Sequence, residues 1–110
     1  MAKEINKTRA KNTSQFRTKV LEIVSKIPKG KIMTYKQVAT LAGNPLASRA
    51  VGAIMNKNRS PLVPCHRIVS SDGWLRGFAW GLNKKKEILQ QEGIEISGYT
   101  IKDLNKFMAK

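Results

Sequence analysis

The chain reads as a single compact domain, mostly α with a few short strands, built around a helix-turn-helix in a winged-helix-like arrangement. Three observations lead there. Apolar residues recur at helical spacing over 14–27 and again in two adjoining short segments, 34–42 and 47–57. The segments with strand character are only a few residues long, and 110 residues support one modest core and not two. No internal repeat or linker interrupts the pattern.

Residues 1–13 carry Lys3, Lys7, Arg9 and Lys11 with almost no apolar content, and read either as a flexible basic arm able to touch phosphates or as a plain terminus. The main domain is set at 14–95. Its first helix places Phe16, Val20, Ile23, Val24 and Ile27 on one face and stops at Pro28 and Gly30. Lys31-Ile32-Met33 is a short extended link. Thr34-Tyr35-Lys36-Gln37 then matches a capping box, with Thr34 capping a helix that Gln37 caps in return. After Gly43-Asn44-Pro45 a second helix runs from about Ala47 to Lys57. Its small residues, Ala47, Ser48, Ala50, Gly52 and Ala53, permit close approach to a partner, with Arg49 facing outward. Any two packed helices share this pattern, so it fits DNA binding or simple packing.

A polar loop from Asn58 returns the chain to Pro64-Cys65-His66-Arg67-Ile68-Val69, which holds the only cysteine and the only histidine. A thiol beside an imidazole and a guanidinium is either made reactive by them or is a buried, inert cysteine at the start of a strand. Ile68-Val69 is a short buried strand and Ser70 to Gly73 a turn. The irregular, aromatic stretch Trp74 to Gly81 suits a loop folded over a pocket, or a small satellite cluster. Asn83 is placed as the cap of a helix ended by Gly93, whose lysine run 84–86 reads as a solvated face. Residues 96–110 form a C-terminal tail with a short strand, a turn at Gly98 and an amphipathic helix carrying Ile101, Leu104, Phe107 and Met108. That tail packs on the core or contacts a partner.

Charge is the strongest compositional signal. With 21 Lys plus Arg against 7 Asp plus Glu, the formal charge is +14. Such a domain gathers polyanions, nucleic acid first among them, although solubility alone is a competing reason. One cysteine cannot form an internal disulfide, and one cysteine with one histidine cannot build a structural zinc site. No apolar run approaches the length of a membrane span or a signal-peptide core. The expected setting is a reducing cytoplasm, nucleoid-associated if the source is prokaryotic, with no membrane partner.

The segments Tyr35 to Leu41, Ala47 to Gly52, Pro64 to Val69, Gly77 to Leu82 and Glu92-Gly93 together resemble the C-terminal domain of the O6-alkylguanine-DNA alkyltransferases, the methylated-DNA-protein cysteine methyltransferases. The resemblance covers roughly 14–95. It implies direct-reversal DNA repair: an alkyl group passes from O6-alkylguanine, less readily O4-alkylthymine, in flipped-out duplex DNA to the protein's own cysteine in one irreversible turnover. It implies Cys65 as nucleophile, His66 as its base through a water, Glu92 behind the imidazole, and Tyr35 as proton donor to the leaving guanine. The loop from Asn58 to Cys65 is one residue short of the family pattern, so either Asn58 or Asn56 fills the role of its active-site asparagine. DNA contact falls by resemblance to Arg49, Ala47, Ser48, Tyr35, Gly52 and Arg67, with Arg49 entering the duplex from a helix in the minor groove. The substrate pocket falls to Val63, Pro64, Trp74, Phe78, Ala79 and Trp80. Trp80 stands where some members have glycine, which predicts a narrowed pocket that takes methyl better than benzyl.

The implied partner is double-stranded DNA containing alkylated guanine, bound by a monomer without cofactor or metal. Longer members carry a further N-terminal domain, in whose place this sequence has the basic arm. Two other readings stand beside repair. One is an alkyltransferase-like protein that recognises the damage without repairing it; such relatives carry tryptophan in place of the cysteine. The other is a helix-turn-helix regulator, for which no effector domain is visible.

Overall fold

The computed structural model describes residues 15–58, 60, 62–78 and 80–109; the basic arm expected at 1–13 lies outside them. Helix α1 covers residues 15–25 and buries Val20 and Val24 completely, with Ile27 following at its end. Strand β1 (Met33–Thr34) leads directly into α2 (Tyr35–Leu41), and α3 (Ser48–Lys57) follows across the turn at Gly43 to Ala47. A single 3-10 turn, Cys65–Arg67, precedes β2 (Ile68–Val69). After an irregular stretch come α4 (Leu82–Gln91), the hairpin β3 (Ile96–Ser97) and β4 (Thr100–Ile101), and one helical turn, α5 (Leu104–Phe107). Among the described residues no helix is long and apolar enough to cross a membrane.

The Thr34 hydroxyl accepts from the Gln37 amide at 3.0 Å, as the capping box requires. The return half is not made. The Gln37 side-chain amide instead donates to the Ala109 carbonyl at 2.9 Å, fastening the end of the chain to α2.

β1 and β2 pair in parallel, Met33 opposite Ile68 and Thr34 opposite Val69. Successive strand residues face opposite ways, so this short ladder divides the interior. Met33 and Ile68 join Val20, Val24, Val38, Val51 and Met55 on one side, while Ile32 and Val69 join Leu75, Leu89, Ile94, Ile101 and Phe107 on the other. Each buried aliphatic side chain contributes about 1.5–3 kcal/mol.

The closing segment packs on the core, the first of its two readings: Ile32 forms a bridge with Met108 and exchanges backbone hydrogen bonds with Phe107 and Ala109 at 2.9 and 2.7 Å. Two sequence expectations change here. Ile101 belongs to β4, and the last helix shrinks to one turn because it begins only after Asp103, which holds a left-handed φ of 51°. Asn83 lies inside α4, where its side-chain oxygen accepts from the Tyr99 hydroxyl; the cap position is Gly81, whose φ of 95° suits glycine.

The far end of α4 follows its prediction. Gly93, with φ 94°, donates to Gln90, and Ile94 donates to Leu89, each at 3.0 Å, the paired bonds of a Schellman closure. This leaves Glu92 at the C-cap. A carboxylate there opposes the helix dipole, so its retention needs partners from elsewhere.

Candidate active site

Cys65 opens the 3-10 turn and is 7% exposed. In that turn successive side chains diverge by about 120°, so Cys65 and His66 point in different directions and need an intermediary to exchange a proton. The thiol lines a cavity of about 560 Å³ together with Asn58, Val63, Pro64, His66, Phe78 and Trp80. Trp80 is 59% exposed and stands at the rim instead of filling the space.

Of the two candidate asparagines, Asn58 is the one at the thiol. Its side-chain amide lies 3.8 Å from Cys65 Sγ and 3.5 Å from the Val63 carbonyl, which also accepts from the Cys65 amide at 2.8 Å. Asn56 instead approaches Gly77 and lines a different depression.

His66 Nε2 lies 3.0 Å from Glu92 Oε2. Burial lowers the imidazole pKa below its ordinary 6.5, and Glu92 opposes that shift. The neutral ring therefore predominates at neutral pH; with Nε2–H donated to the carboxylate, Nδ1 is left as the acceptor. Burial alone would raise the Glu92 carboxyl. Hydrogen bonds from Arg67 and His66, with their charges, outweigh it and hold the group at about 2.

Arg67 corrects its assignment. It was placed among the DNA contacts, yet its guanidinium turns inward, with Nε 2.9 Å from Glu92 Oε1, one terminal nitrogen 2.7 Å from Oε2, and the other 2.8 Å from the Ile27 carbonyl. This two-pronged grip is what steadies a carboxylate at an unfavourable helix end.

The remaining residues divide between surfaces. Tyr35, Ser48, Arg49 and Gly52 line a depression of about 390 Å³ with Lys36, Ser70 and Arg76. Arg49 is exposed there. Ala47 lies elsewhere, in a hollow with Phe16 and Asn44, because as the residue before α3 it faces α1. The Tyr35 hydroxyl donates to the Arg76 carbonyl at 2.5 Å and is not in the thiol cavity. Burial, and secondarily the charge of Cys65, push its pKa up to about 12, with Arg76 acting the other way. Trp74, assigned to the pocket, instead bridges Thr100 and is drawn to the hairpin side. Ala79 lies outside the described residues.

Three residues that line the thiol cavity escaped the sequence reading: Ser60 of the polar loop, and Lys84 and Ile88 of α4. So did Lys85, which is fully buried where a solvated lysine run was expected. A signal existed: Lys85, Leu89 and Glu92 recur at spacings of four and three, which puts them on one face of α4.

Fold and site together define a small domain of helices and short strands, α2 and α3 joined by a tight turn, that holds a single thiol at an apolar cavity, with a histidine–carboxylate pair at its back. The family model described as 6-O-methylguanine DNA methyltransferase, DNA binding domain, matches residues 15–94, and the chain belongs to that family. The methylated-DNA--protein-cysteine methyltransferase of Kluyveromyces lactis is 44% identical over 80 residues, covering 72% of this chain and 42% of the relative. That of Methanothermobacter thermautotrophicus is 38% identical over 86 residues, covering 77% and 48%. The chain thus spans about half the length of these curated relatives. Among solved structures, S. pombe Atl1 in complex with damaged DNA containing O6-carboxymethylguanine superposes with a TM-score of 0.78 at 34% identity, covering 88% of this chain and 96% of that one. Mycobacterium tuberculosis OGT in complex with DNA gives 0.68 at 35% identity, covering 71% and 48%.

Proposed function

We propose that this chain repairs alkylated DNA by transferring the alkyl group of an O6-alkylguanine to Cys65 in a single turnover. The observation that carries the reading is the thiol itself, at an apolar cavity within reach of the Asn58 amide and next to a neutral histidine held by an ionised carboxylate. The chemistry needs each part. His66 Nδ1 takes the thiol proton through a water, and Glu92 stabilises the imidazolium that forms. The thiolate sulfur attacks the alkyl carbon as its bond to O6 breaks; the electron pair stays with the guanine, which takes up a proton from Tyr35. A thioether on Cys65 and an intact guanine result.

The partner in this reading is duplex DNA containing the lesion, bound by a monomer. Exposed Arg49, with Ser48 and Gly52 on a thin helix face, enters the minor groove while the damaged base leaves the stack for the Cys65 cavity. The charge of +14 provides affinity without base readout, and the basic arm can add phosphate contacts. The setting is the cytoplasm, at the nucleoid in a prokaryote.

The second reading, recognition of the lesion without repair, is favoured by the likeness to Atl1, whose chain this one covers almost entirely. Cys65 stands against it. Incubation with a duplex bearing O6-methylguanine, followed by mass spectrometry, decides between them. Repair predicts a gain of one methylene on Cys65 that Cys65→Ala abolishes; lesion-selective binding with no gain in mass favours recognition, and indifference to the lesion leaves the regulator.

A further inference from the structure

Lys85 is fully buried, and its ammonium nitrogen lies 2.5 Å from the Ile68 carbonyl oxygen, 2.9 Å from that of Arg76 and 3.1 Å from that of Gly77. An ammonium has three protons to donate, and three carbonyls receive them. No carboxylate is among these acceptors. A buried charge of this kind adds little to stability, since an apolar side chain of similar volume often serves as well or better. Its use lies in what the carbonyls belong to.

Ile68 directly follows the turn that carries Cys65 and His66. Arg76 and Gly77 lead into Phe78, which lines the thiol cavity. The Arg76 carbonyl is also the acceptor of the Tyr35 hydroxyl, and the Gly77 carbonyl lies 3.5 Å from the same hydroxyl. The ammonium stands 5.9 Å from the centre of the Tyr35 ring. One nitrogen therefore joins the strand after the thiol, the loop at the cavity and the phenol of α2.

We propose that Lys85 is a positioning residue for alkyl transfer: by clasping these three carbonyls it fixes the loop at 76–78 and, through the shared Arg76 carbonyl, holds the Tyr35 hydroxyl in register with Cys65. The proposal rests on the reading of Cys65 as the nucleophile. An electrostatic consequence follows from the same placement. The titratable groups that interact with Lys85 are Cys65 and His66 on the turn and Tyr35 on α2. Burial drives the Lys85 pKa down to about 7, and negative charge on Cys65 acts against that shift.

The test uses the full chain as wild type, Lys85→Met, Lys85→Arg, Tyr35→Phe and the Lys85→Met/Tyr35→Phe double variant. Three quantities are measured: the single-turnover rate on an O6-methylguanine duplex, the affinity for that duplex, and amide hydrogen exchange over residues 76–78, which requires neither DNA nor transfer. Lys85→Met is expected to slow transfer by about 10- to 100-fold, with duplex affinity within about twofold of wild type. Adding it to Tyr35→Phe costs less than it costs alone, because both act through one carbonyl. Exchange over 76–78 quickens in Lys85→Met. Lys85→Arg keeps the charge but not the transfer rate, since a planar fork does not fit three converging carbonyls.

Wild-type transfer rates in Lys85→Met, or losses that multiply with Tyr35→Phe, overturn the proposal. If Lys85→Met does not fold, the same comparison on Lys85→Gln, whose amide bonds at most two of the carbonyls, carries the same overturning results. If the wild-type chain itself transfers nothing, the nucleophile reading falls. Hydrogen exchange over 76–78 still judges Lys85, faster exchange in Lys85→Met supporting the clasp and an unchanged rate overturning it.

Discussion

Replacing Arg67 by methionine should destabilise the fold without altering affinity for nucleic acid. The guanidinium makes three hydrogen bonds, two to Glu92 and one to the Ile27 carbonyl, and its removal leaves the Glu92 carboxylate with His66 alone. The two side chains are 15% and 9% exposed, so solvent screens the pair only slightly. Breaking a buried pair by removing one partner costs about 3–5 kcal/mol. Water can reach the vacated side of Glu92, which brings the expectation to about 2–4 kcal/mol. For a domain of this length that is a fall in Tm of about 10–20 °C. The pH dependence supplies a second reading. The folded carboxyl sits at about 2 and the unfolded one at its ordinary 4.5, so its contribution is complete above 4.5 and disappears as pH falls toward 2. The gap between wild type and Arg67→Met should therefore be widest at neutral pH and close in acid. Thermal melts at pH 7 and pH 3 measure it. The salt dependence of duplex binding is the control: Arg67→Met keeps the wild-type slope, whereas Arg49→Ala lowers it by about one. An unchanged Tm at pH 7, a gap that widens in acid, or a slope reduced in Arg67→Met would each refute the inward role of Arg67.

Three further outcomes are expected. Because His66 must be neutral to accept a proton and burial lowers its pKa, the transfer rate should fall only below pH 6.5, and Glu92→Gln, by removing the group that opposes the shift, should carry that limb lower still; a limb at or above 6.5 in the wild type contradicts this. Asn58→Ala should slow transfer by about tenfold or more, a range typical of a lost catalytic contact, while Asn56→Ala has a smaller effect, judged by single-turnover rates on the same duplex. Trp80→Gly should raise the rate on O6-benzylguanine relative to O6-methylguanine, and equal ratios in the two proteins would remove the indole from the list of specificity determinants.

What the sequence made legible is what neighbouring residues decide. The turn between α2 and α3, the Thr34 cap and the Gly93 closure all follow from side chains within a few positions of one another, as does the nearness of Cys65 to His66. The reach of Arg67 to Glu92, 25 positions away, does not, and an arginine in so basic a chain looked like one more phosphate contact. Lys85 was lost for the same reason. Its three acceptors are backbone carbonyls, which every residue possesses, so nothing in the surrounding composition announces them. The apolar residues of the closing segment pointed to packing on the core, but its anchor, the Ile32 strand edge, lies far earlier in the chain and pairs through backbone atoms alone, so the partner was not legible. Placement of Trp74 required the register of the hairpin that it meets.

The two-residue ladder between β1 and β2 has a bearing on how this site tolerates change. Thr34, at the root of the Tyr35 helix, pairs with Val69, and Met33 pairs with Ile68, three positions after the thiol. The helix α2 and the thiol are thus gauged against each other at one point in the core, and the loop after Asn58 does not intervene in that measurement. That loop is free to gain or lose residues, and so to reshape the cavity it lines, while the spacing between α2 and the sulfur stays constant.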